Sequence, residues 1–186
     1  MNLNKIMLIA ALSLGISSVV HAADPVPPAP PKFGGGGTVT FTGSIIDAPC
    51  SIAAGSEELA VPLGQISKVA LKNGGQSKAR TFSISLENCE VGETDKNKVF
   101  YLFSGPDSST VEDMLAITGA AGAGVVITDG DNKVLTLGKM SDKPQKLVSG
   151  NNTLTFSAYL KGDGSEDAKI TEGEFSATAD FKLYYQ

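Results

Sequence analysis

Apolar and polar residues alternate along this 186-residue chain in repeated short runs, broken by turns rich in glycine and aspartate. Four runs stand out: Phe82, Ile84 and Leu86; Val99, Tyr101 and Phe103; Leu154, Phe156, Ala158 and Leu160; and Phe175, Ala177, Ala179, Phe181, Leu183 and Tyr185. A two-residue period sends every second side chain to one face, so each run predicts a strand with one buried face. Weaker strand candidates lie at Leu59 to Leu63, Val125 to Thr128 and Val134 to Leu137. No long segment carries a helical stripe, and Val111 to Ile117 predicts no more than a short turn or helix. About seven short antiparallel strands of this kind predict an all-β fold, a sandwich of the immunoglobulin type.

The two ends of the chain depart from this pattern. Lys5 precedes an apolar run from Ile6 to Val20, which ends at the small-residue site Val20-His21-Ala22. This layout predicts a secretory signal peptide over residues 1–22, and no later run is long enough to predict a transmembrane segment in the mature chain. Residues 23–46 follow as an arm: a proline tract (Pro25, Pro27, Pro28, Pro30, Pro31), then Gly34 to Gly37, then the alternating Val39, Phe41, Gly43 and Ile45. Proline favours an extended chain and glycine favours freedom, so the arm is a leash ending in an amphipathic strand, a candidate for pairing elsewhere. Composition alone favours a plainer reading, a tail before an ordinary first strand. Residues 47–186 hold the remaining strands, and the strongest alternation ends one residue before Gln186. An apolar strand edge left open there would need a cover, which a strand from another chain can supply.

Charge and chemistry narrow the function. The formal net charge is −5, and cleavage of the leader removes Lys5, so nucleic acid is not an expected partner. The only histidine, His21, leaves with the leader, which removes the usual general base and a common metal ligand. Cys50 and Cys89 are the only cysteines, and in an exported chain they predict a disulfide, with two buried thiols as the alternative. Closing a loop of that length stabilises by about 4 kcal/mol in the chain-entropy model. Asp129-Gly130-Asp131-Asn132 lacks the spacing of a calcium loop and predicts a hairpin turn. Gly162 to Asp167 reads as a solvated acidic loop, and Gly34 to Gly37 lacks the lysine and hydroxyl of a phosphate-binding loop. Ser77 and Lys78 are adjacent, so on a strand they face opposite ways and make no nucleophile and base pair. No enzyme activity, catalytic residue, metal or cofactor is expected.

Three segments, in order, resemble the pilins assembled by the chaperone and usher pathway, most closely the major subunits of P-type and type 1 pili. The first runs from Gly37 through Val39, Phe41, Gly43 and Ile45 to Pro49-Cys50-Ser51-Ile52; the second combines Leu63-Gly-Gln-Ile-Ser67, Gly74-Gly75, Ser77-Lys78 and Leu86-Glu-Asn-Cys89; the third is the C-terminus, with Gly173 and the penultimate Tyr185. The resemblance implies an incomplete immunoglobulin-like sandwich completed by a donated strand from a neighbouring subunit. Val39, Phe41 and Ile45 would enter successive pockets of an open groove, with Gly43 at a shallow one. Gly173, Phe175, Ala177, Ala179, Phe181, Leu183, Tyr185 and Gln186 would form the groove strand and the grip of a periplasmic chaperone, which binds before an outer-membrane usher catalyses exchange. The implied partners are other copies of this chain and other pilins in a fibre, and the implied location is a fimbria at the cell surface. A shaft subunit is the expectation. A minor adaptor, a terminator and a carbohydrate-binding adhesin module are the rivals.

Overall fold

A computed structural model describes residues 28–92, 97–108, 111–164 and 169–186. The expected leader, Pro25, Pro27, and Glu166 and Asp167 of the acidic loop lie outside them. The chain divides into two units, Met1–Ser44 and Ile45–Gln186. In the first unit, residues 28–44 are exposed and carry neither helix nor strand.

The second unit is a two-sheet sandwich. Its strands are β1 (Ser51–Ile52), β2 (Arg80–Cys89), β3 (Lys98–Ser104), β4 (Leu115–Ala116), β5 (Ala123–Asp129), β6 (Gln145–Lys146), β7 (Gly150–Gly162) and β8 (Asp180–Tyr185). One sheet has the order β1-β2-β7-β5-β4 and the other β6-β3-β8. Every pairing is antiparallel, as expected for alternating strands with one covered face. A four-residue helix, α1 (Lys68–Leu71), precedes β2. Ser67 caps it by accepting a bond from the Val69 amide at 3.3 Å, which satisfies one of the donors a helix start leaves free.

Inward residues of the alternating runs build the core. Phe156 on β7 is fully buried and meets Tyr101 and Phe103 of the facing sheet edge-on, at ring-centroid distances of 4.9 and 5.0 Å, and Phe82 of its own sheet at 5.6 Å. Edge-to-face contacts of this kind add to area burial. Cys50 and Cys89 are joined and buried, tying the start of β1 to the end of β2 across a separation of 39 residues.

Several expectations are corrected. Leu59 to Leu63 is not a strand; it runs along a groove outside both ladders. Val134 makes an isolated bridge to Thr128 in place of a strand through Leu137. Residues 115–116, expected as turn or helix, form β4. The last run enters the ladder only from Asp180; before that, Ser176 alone is bridged, to Thr118. The Asp129 turn is a hairpin, as its sequence predicts: its carboxylate accepts bonds from the amides of Asp131 (3.0 Å) and Lys133 (2.8 Å).

Candidate functional site

The site is a groove of about 1550 Å3 within the second unit. One wall is the chain from Glu57 to α1, the other runs from Ile170 to Phe181, and Phe82, Phe103, Leu115, Val125, Ile127, Ala158 and Leu160 line it from the strands. Leu63 and Ile66 hold the first wall against the core by being half-buried. The second wall begins at a close backbone approach. A Cβ on Gly173 would lie 2.5 Å from the Gly119 carbonyl oxygen, and one on Gly119, whose φ is +86°, would lie 2.2 Å from that of Glu174. Only residues without side chains fit that approach. Thr118 and Ser176 then exchange both main-chain bonds, at 2.9 and 3.1 Å.

Along the second wall the burial pattern is strictly periodic. Phe175, Ala177, Ala179, Phe181, Leu183 and Tyr185 are half-buried, the residues between them are exposed, and none of the six is fully buried. Their main-chain groups follow the same parity. Lys98 and Gln186 exchange both bonds at 2.9 Å, and in an antiparallel ladder bonded pairs recur at every second residue. Lys182 and Tyr184 therefore turn their amides and carbonyls to β3, as Ser176 turns its own to Thr118. The odd-numbered residues direct theirs away, and β8 is the edge of its sheet. From Phe175 to Phe181 an apolar face and a row of main-chain groups without a ladder partner among the described residues thus open on the same groove. Burial raises the Tyr185 phenol pKa; the more enclosed Tyr101 is raised by burial and then by the negative charges of Asp129 and Asp131.

The structure places the arm residues in a different condition. Val39, Phe41 and Ile45 are 74%, 89% and 103% exposed, and a Cβ on Gly43 would meet nothing within 4 Å. Gln186 is bonded to β3. Ser77 accepts a bond through its hydroxyl from the Leu160 amide at 3.0 Å and is occupied structurally. Among the described residues no cluster of acidic, histidine or cysteine side chains could hold a metal. Sequence reasoning missed the first wall and the ion pair between Lys68 and Glu172, 3.1 Å apart. Ser67 preceding a short apolar run was the available signal for α1.

A sandwich whose β8 edge is unpaired beside an uncovered inner face defines a class, the β-domain that takes a strand from another chain. The match to a family model described as "Fimbrial protein" spans residues 39–186. The chain is 50% identical to the Fimbria A protein of Serratia marcescens and 49% identical to the Major MR/P fimbria protein of Proteus mirabilis (strain HI4320), each over the full length of both chains. A solved chain from a chaperone-usher pilus, reported in connection with rod uncoiling, superposes with a TM-score of 0.73 at 36% identity, covering 85% of this chain and all of its own. This chain belongs to the fimbrial protein family. It is a structural subunit that polymerises with other pilins in a surface fimbria, and not an enzyme; its fold is the incomplete immunoglobulin-like sandwich of that family.

Proposed function

We propose that this subunit builds the fimbrial shaft by donating Val39 to Ile45 to the groove of the next copy. The observation that carries the reading is the shared parity of residues 175–185: the side chains that are only half covered belong to the residues whose main-chain groups point at the open edge. A β-strand laid there would satisfy both needs at once. The names of the Proteus relative, a major fimbria protein, and of the rod structure favour a shaft position.

The arm matches this edge in length and period. Antiparallel pairing, the kind used throughout this fold, places like faces opposite one another. One register sets all four arm positions against the four half-buried residues that line the groove. It pairs Val39 with Phe181, Phe41 with Ala179, Gly43 with Ala177 and Ile45 with Phe175. Burying Val39, Phe41 and Ile45 contributes about 1.5–3 kcal/mol each, opposed by the ordering of the arm. On the way to the fibre, a periplasmic chaperone would lend its own strand to the same edge after removal of residues 1–22, and an outer-membrane usher would exchange it.

Thermal unfolding tests the reading. A chain lacking residues 23–46 should melt at a much higher temperature when a peptide of residues 36–48 is added. A peptide with Gly43→Phe should give no rise. An armless chain already stable alone, and indifferent to the peptide, would overturn strand donation.

A further inference from the structure

The hydrophobic alternation of the arm cannot by itself choose its register, because a slip of two residues keeps every side chain on its face. A polar contact at the end of the groove can. Lys68, on α1, and Glu172, at the start of the opposite wall, both line the groove and form an ion pair across it. Their side chains are 49% and 81% exposed, so the pair is weakly held and free to open. Lys68 is also the only cation among the described groove-lining residues, where Glu57, Glu58, Glu172, Glu174 and Asp180 supply the opposite sign.

The strand register proposed above brings one more carboxylate to this place. With Ile45 of the incoming arm opposite Phe175, Asp47 falls opposite Gly173, which offers no side chain to obstruct it and adjoins Glu172. We propose that Lys68 is a register-setting residue that changes partner on assembly, from Glu172 in the free subunit to Asp47 of the donor subunit, just beyond its arm, in the fibre. This rests on the strand-donation reading. A two-residue slip would carry Asp47 about 7 Å along the edge, out of reach of Lys68 and into an acidic rim. The ion pair thus adds to the fit of Gly43 in discriminating between registers that alternation alone treats alike.

Peptide lifetimes on the mature chain provide the test, with a fluorescent, C-terminally amidated peptide of residues 36–48 as the probe. The Asp47→Asn peptide should leave the wild-type chain about two- to five-fold faster than the parent, the size expected of one exposed ion pair. On Lys68→Met the two peptides should leave at the same rate. Glu172→Gln should hold the parent peptide longer, because the competing carboxylate is gone, and high salt should erase both differences. Lys68→Asp should recover lifetime with an Asp47→Lys peptide. An Asp47→Asn effect equal on wild type and Lys68→Met, or absent from both while the parent binds, would overturn the partner change and leave strand donation standing. No binding of the parent peptide to any variant would overturn both.

Discussion

β3 and the stretch from Phe175 to Tyr185 read alike as sequence and differ as structure. Both alternate with a period of two. On β3, flanked by β6 and β8, the inward Val99, Tyr101 and Phe103 are buried; on the later stretch none of the six inward residues is. The difference lies in neighbours, not in residue type. Alternation records which way a side chain faces, whereas burial records whether anything lies over it. A strand whose pattern promises a core and whose surroundings withhold part of one marks the place where a second chain belongs.

The sharpest way to break this contrast is to truncate one phenylalanine on each side. Phe103→Ala should destabilise the free subunit by up to about 5 kcal/mol, as deletions of enclosed aromatics do. Phe181→Ala should cost less than half as much until the groove is filled, when the gap should narrow; denaturant midpoints for the free chain and for the peptide-bound chain measure both. Loss of the disulfide by Cys89→Ser should remove about 4 kcal/mol by the chain-entropy estimate, lowering the melting temperature with and without peptide. Gly173→Val drives a side chain against the Gly119 carbonyl and should cost about 1–3 kcal/mol, chiefly by shifting the groove wall, so peptide affinity should fall further than stability.

The smallest effect is alkaline. Because burial raises the folded-state pKa of Tyr101 and Tyr185, the fold favours their neutral phenols. That contribution is complete below the unfolded value of about 10 and is lost as pH rises through the raised folded-state values. Stability should therefore decline above about pH 10, less steeply in Tyr101→Phe.

Much of this was legible before any coordinates. The strong runs at Phe82, Val99, Leu154 and Phe181 became β2, β3, β7 and β8 because each has partners on both the ladder and the core side sufficient to hold it. Leu59 to Leu63 has the composition of a strand but faces the groove, and no local signal reports a missing neighbour. β1 and β6 are two residues long, too short for a period to show. The groove itself was inferred from likeness to known pilins, whereas its physical signature, half-burial in step with free main-chain groups, exists only in three dimensions. Lys68 and Glu172 lie far apart in sequence, and nothing in either segment announces the other.

Residue-resolved amide hydrogen exchange along residues 175–185 tests the central claim most directly. In the free mature chain, Ser176, Lys182 and Tyr184 should be protected by their main-chain partners, while Phe175, Ala177, Phe181, Leu183 and Tyr185 exchange quickly. Addition of the peptide of residues 36–48 should bring Phe175, Ala177, Phe181 and Leu183 to the same protection and leave Tyr185, opposite residue 35, exchanging as before. Those four amides already protected in the free chain, or unchanged by the peptide, would contradict an open edge completed by a donated strand.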